Sequence, residues 1–107
     1  MLSYHRSSPL KFTVYVMPTC GVCHEYLPRL QRIYKQLERQ GLCMPELEIL
    51  DLTDPKHQRI ADHNGIKYTP STVVQRPSTG HWKRFEHDLD DATIERLFRK
   101  AAERCEV

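Results

Sequence analysis

"LKFTVYVMPTCGVCHEYLPRLQRIYKQL", residues 10–37, runs from an alternating apolar segment through two cysteines into an apolar stripe at helical spacing. Its opening "LKFTVYV" is rich in β-branched and aromatic types and places Leu10, Phe12, Val14 and Val16 on one face, which predicts a strand. Beyond the cysteines, Cys23, Tyr26, Leu27, Leu30, Ile33, Tyr34 and Leu37 recur at three- and four-residue steps. That spacing predicts an amphipathic helix ending before Gly41, with Cys23 on its inner face and Cys20 just ahead of it.

Outward from this unit the chain continues in the same alternation. "ELEILDL" (46–52) reads as a second strand, and Asp54 with Pro55 starts a short helix stopped at Asn64 and Gly65. "STVVQR", "PSTG" and "HWKRFE" read as strand, turn and strand, although Trp82 and Phe85 fall on opposite faces of a regular strand. A last helix follows Asp90 and Asp91, with Ile94, Leu97, Phe98, Ala101, Ala102 and Cys105 on one stripe. The order is β-α-β-α-β-β-α. The helix between the first two strands predicts a parallel pair, and the short turn between the last two predicts an antiparallel hairpin.

With 107 residues, 28% charged and 39% apolar, one folded globular domain spanning 1–107 is expected, residues 1–9 being a short extension. The formal net charge of +2 gives no argument for a nucleic-acid partner, and Arg29, Arg32 and Arg39 read as a solvated helix face. No apolar run approaches the length of a membrane span or of a secretory leader, so a cytoplasmic protein is expected.

Four cysteines in a reducing compartment point to metal binding or catalysis before a disulfide framework. At a helix N-terminus, Cys20 and Cys23 are about one turn apart, close enough to close a short disulfide ring. Free N–H groups and the positive end of the helix dipole favour a thiolate at Cys20, the attacking species. Cys20 is therefore the candidate nucleophile and Cys23 the resolving thiol, with Gly21 and Val22 between them and His24 beside them. Zinc is the alternative for this pair, with His24, Cys43 or Cys105 completing the ligands. No second CxxC or HxxxH is present, however. Cys43 and Cys105 otherwise read as ordinary buried or half-buried cysteines, and pairing between them would need an oxidising compartment.

Three segments together resemble the thioredoxin superfamily: "CGVCHEYLP" with Pro28 five residues after Cys23, "NGIKYTPSTVV", and the closing hairpin and helix. The resemblance implies an α/β thioredoxin-like fold, a minimal βαβαββα core with a four-stranded mixed sheet flanked by helices. It implies a cis bond at Thr69-Pro70 facing the cysteines. A substrate surface would be formed by Thr69 and Pro70 with Pro18 and Thr19, the Thr69 backbone pairing with an extended peptide. The expected activity is thiol-disulfide exchange by the Cys20–Cys23 pair, reducing protein disulfides without organic cofactor or metal. The expected protein is a monomer whose partners are a disulfide-containing protein and a recycling reductase or thiol pool. A non-catalytic interaction module of the same fold is the other reading.

The sequence also departs from the superfamily. Thr19 stands where a tryptophan is usual, and Val22 where the motif has proline. Val14 occupies the place of a buried aspartate that takes the second cysteine's proton, leaving His24 as a substitute candidate. "FEHDLDD" has four acids and no glycine where glutaredoxins hold glutathione, so no glutathione site is expected.

Overall fold

In the computed structural model, which describes residues 8–105, the strands are β1 (Lys11–Val16), β2 (Glu46–Asp51), β3 (Ser71–Arg76) and β4 (His81–Glu86). The helices are α1 (Gly21–Arg39), α2 (Pro55–His63) and α3 (Asp91–Glu103). One four-stranded sheet runs in the order β2-β1-β3-β4. β1 pairs parallel with β2 and antiparallel with β3, and β3 pairs antiparallel with β4. Most of the predicted extension, residues 1–7, lies outside the described residues. Ser8 does appear, donating through its hydroxyl to the Ala101 carbonyl at 2.9 Å.

Alternation along β1 sends side chains into two cores. Phe12, Val14 and Val16 pack with the inner stripes of α1 and α3, including Tyr26, Leu30, Ile33, Ile94 and Phe98. Phe98 is the hub of this layer, its ring 4.7 Å from Phe12 and 5.3 Å from Tyr34 between centroids. Tyr15 points to the other face, where Leu50, Leu52, Ala61, Ile66 and Val73 pack beneath α2. Both faces of the central strand are thus covered, which is why β1 is buried almost throughout.

The predicted helix starts are where the sequence placed them. Asp54 caps α2 through the Lys56 N–H, and Asp90 caps α3 through the Thr93 N–H. Gly41, at φ +87°, takes the left-handed turn that ends α1. β4 is regular but lies at the sheet edge beyond the reach of the helices, so Trp82 remains 52% exposed and only Phe85 is partly covered. Among the described residues no helix is long and apolar enough to cross a membrane.

Two expectations are corrected. Cys105 is not on the α3 stripe, because the helix ends at Glu103 and Arg104 caps it. Nor are Cys43 and Cys105 independent small hydrophobes: they form a disulfide between the α1–β2 connection and the end of α3. The bridge spans a sequence separation of 62 residues. Closing a loop of that size removes denatured-state entropy equivalent to about 4 kcal/mol. Replacing both residues by serine is expected to lower the non-reducing denaturant midpoint by about that stability, with the Cys20–Cys23 pair left intact as a control.

The cap at Asp90 also carries a pH dependence. Hydrogen bonds from the Thr93 side chain and backbone hold the Asp90 carboxyl below the usual carboxylate range. A depressed carboxyl stabilises the fold above its unfolded value, about 4, and that contribution is lost as pH falls through the lower folded value. Asp90→Ala should therefore reduce stability at neutral pH and flatten the acid limb of a stability–pH curve.

Candidate active site

β1 delivers the chain to the site through a turn in which the Cys20 N–H donates to the Met17 carbonyl at 3.0 Å. Cys20 is the N-cap of α1, in extended conformation, and its sulfur accepts the Cys23 N–H at 3.1 Å. The first turn of a helix leaves N–H groups without intrahelical partners, so the cap sulfur sits where negative charge is stabilised. Cys20 is half-buried rather than freely solvent-facing, while Cys23 is 2% exposed within the core against α1. Their Cα atoms are 5.2 Å apart and the sulfurs are joined as a disulfide.

The opposing wall is the loop before β3. Thr69-Pro70 is cis, Pro70 is buried, and the Thr69 carbonyl lies 3.5 Å from the Cys20 sulfur. The Ser71 hydroxyl, fully buried, donates to the Tyr68 carbonyl and fixes the loop from below. Pro18, Thr19, Gly21 and Val22 are exposed around the same sulfur, with Val22 at 46% and Tyr68 at 50% adding apolar surface. The structure thus brings Cys20, Cys23 and Thr69 together, with Pro18, Thr19, Gly21, Val22, His24 and Pro70 around them. His24 is exposed, its Nε2 2.7 Å from the Pro18 carbonyl. Among the described residues no group of three His, Cys, Asp or Glu converges as a metal site.

Val14 is fully buried and lies opposite Thr72 in the β1–β3 pairing. The nearest interior polar pair was not foreseen: the Tyr26 hydroxyl and Thr72 Oγ1 are 2.9 Å apart. Burial pushes the Tyr26 phenol above its ordinary value, so it stays protonated and offers no base to Cys23.

Arg29 corrects the reading of a wholly solvated basic face. Its side chain is only 19% exposed, and Nη1 donates to Asp91 at 2.7 Å and to the Leu89 carbonyl at 3.1 Å. Nη2 lies 3.5 Å from Asp88, and Nε lies 3.2 Å from Glu25 at an angle too poor for a hydrogen bond. The four acids of "FEHDLDD" are therefore engaged internally: Asp88 and Asp91 by Arg29, Asp90 as a cap and Glu86 beside Arg84 at 3.4 Å. This network holds the β4–α3 loop, from which His87 stacks on Tyr68 with centroids 5.2 Å apart.

Solved structures share this arrangement of strands and helices. Thioredoxin-2 of the malaria parasite superposes with a TM-score of 0.71 at 13% identity, covering 94% of this chain and 88% of its own. Chloroplastic thioredoxin z gives 0.69 at 15%, covering 88% and 79%. Fasciola hepatica thioredoxin gives 0.68 at 14%, covering 89% and 83%. The chain has the thioredoxin fold. No protein-family model matches the sequence, and no curated protein does. At these identities the thioredoxin likeness is one of architecture, and the chemistry is argued from the residues of this chain.

Arg29→Met keeps the apolar stem but removes the donor to the Leu89 carbonyl and the cation beside Asp88, Asp91 and Glu25, leaving Asp91 only Arg32 at 3.6 Å. The expected loss is about 1–3 kcal/mol in urea unfolding, smaller at high salt because the carboxylates are partly exposed. Exchange protection should fall first in the loop from His87 to Asp91.

Proposed function

We propose that this domain is a thiol-disulfide oxidoreductase that reduces disulfides in proteins. The observation carrying the proposal is the Cys20 sulfur, held at the N-terminus of α1 on the Cys23 N–H and 3.5 Å from the Thr69 carbonyl, with Cys23 buried behind it. In the dithiol form, the Cys20 thiolate attacks a substrate disulfide, forms a mixed disulfide and releases one substrate thiol. Cys23 then attacks Cys20, the second substrate thiol leaves, and the pair ends as the Cys20–Cys23 disulfide. Two electrons have passed to substrate, with no cofactor or metal. A recycling reductase or a thiol pool restores the dithiol.

Recognition follows from the loop before β3. Thr69 offers its backbone to an extended peptide, and Val22, Tyr68, Pro18 and Thr19 surround the point of attack with surface that demands no single side-chain sequence. The protein acts as a monomer in the cytoplasm. The Cys43–Cys105 bridge favours a second reading of location, an oxidising compartment, because a structural disulfide persists where thiols are not kept reduced.

Cys23→Ser should leave Cys20 able to attack but unable to release, so reducible mixed disulfides with client proteins accumulate on gels. Cys20→Ser should trap none. Equal trapping by both variants, or by neither, would defeat the proposal. A redox-buffer titration then fixes direction: a value near about −270 mV marks a reductant and one near about −120 mV an oxidant.

A further inference from the structure

Resolution requires the Cys23 thiol to lose a proton, and a buried thiol gives one up reluctantly. Val14, fully buried in the same apolar layer as Cys23, has no group to take a proton, and the Tyr26–Thr72 pair supplies no base. Cys23 nevertheless has a way out to the side. A hollow of about 380 Å³ opens between the ends of β1 and β2 and the first turns of α1. Val16 and Leu27 form its apolar walls, and Cys23, His24, Pro18 and Asp51 also line it. Its size admits several waters.

The hydrogen bond on His24 settles its tautomer. A carbonyl oxygen only accepts, so Nε2 carries the proton donated to Pro18 at 2.7 Å. In the neutral ring, Nδ1 is then left with a lone pair. Across the hollow stands the Asp51 carboxylate, with one oxygen accepting from the Thr53 N–H at 2.9 Å and hydroxyl at 2.8 Å. Those bonds hold its carboxyl below the usual range, so it is anionic throughout neutral pH. Of the other titratable groups nearby, His57 of α2 binds the Asp51 carbonyl through Nδ1 at 2.9 Å, lies 3.8 Å from Asp54 and itself favours the charged form of the Asp51 carboxyl, while Glu25 of α1 faces Arg29.

We propose that His24 accepts the Cys23 proton through water held in this hollow, with Asp51 the fixed negative charge that steadies the imidazolium. The inference rests on the oxidoreductase reading above. In the mixed-disulfide state, the Cys23 thiol passes its proton to His24 Nδ1 and becomes a thiolate. The thiolate attacks the Cys20 sulfur, the bond from Cys20 to substrate breaks, and the substrate sulfur leaves with the electron pair. The departing thiolate recovers a proton from the imidazolium or from water, so the cycle consumes no acid or base.

Reaction with 5,5′-dithiobis(2-nitrobenzoate) of protein in which only the Cys20–Cys23 pair is reduced separates the two steps, because each step releases one coloured thiolate. The first phase reports attack by Cys20 and the second reports resolution by Cys23. In the unaltered protein the second phase should follow the first promptly at neutral pH. His24→Gln should slow that phase about tenfold or more near neutrality and leave it climbing with added hydroxide, while the first phase is slowed far less. Asp51→Asn should slow the second phase by a smaller factor than His24→Gln, since the proton acceptor loses its anionic neighbour. A second phase with the same rate in His24→Gln as in the unaltered protein would overturn the relay and leave the oxidoreductase reading standing. Absence of both phases in the unaltered, reduced protein would overturn that reading and the relay with it.

Discussion

The hydrogen bond from the Cys23 N–H to the Cys20 sulfur is the contact on which the site depends. It exists only because α1 begins at that residue, and α1 begins there because β1 ends at Val16 and a three-residue turn brings Cys20 into the cap position. The stripe from Cys23 to Leu37 then locks the helix against Phe12, Val14 and Phe98, so the direction of the helix, and of the N–H groups at its start, is set by core packing. A short polar contact at the surface is thereby held by a large apolar interface, a more rigid mount than a loop could provide.

Much of this was legible in the sequence because it is local. Alternation in "LKFTVYV", the Asp54 and Asp90 caps, and the breaks at Gly41 and Gly65 each act over a few residues, and the structure places each element accordingly. Cys20, Cys23, Thr69 and Pro70 were legible for another reason: their combination is specific, although 49 positions separate Cys20 from Thr69. The errors are equally instructive. Cys105 continued the spacing of α3 in sequence, but no glycine marks the helix end, and the cap at Arg104 takes it off the stripe. Arg29 finds Asp91 62 positions away, a pairing created by the packing of α1 on α3 and the loop before it, for which no local pattern exists. The Tyr26–Thr72 bond likewise depends on β3 lying beside β1.

The two disulfides differ in their surroundings as well as their span. Cys20–Cys23 closes within one helical turn, beside an exposed surface and a backbone carbonyl at contact distance. Cys43–Cys105 joins distant segments at the far end of the helical layer. Opening the first changes the chemistry of one turn, whereas opening the second unties the segment after α3 from the α1–β2 connection. The same bond type thus serves reversible chemistry at one end of the domain and covalent anchoring at the other.

The uncovered edge at β4 bears on how the molecule behaves in a crowd. Two copies of "HWKRFE" laid antiparallel about their centre would set Lys83 against Arg84 and Trp82 against Phe85. Opposed cations repel across a strand pair, and lysine on an edge is a common device against unwanted extension of a sheet. The strand therefore carries two cations at its centre while its backbone and its tryptophan lie open.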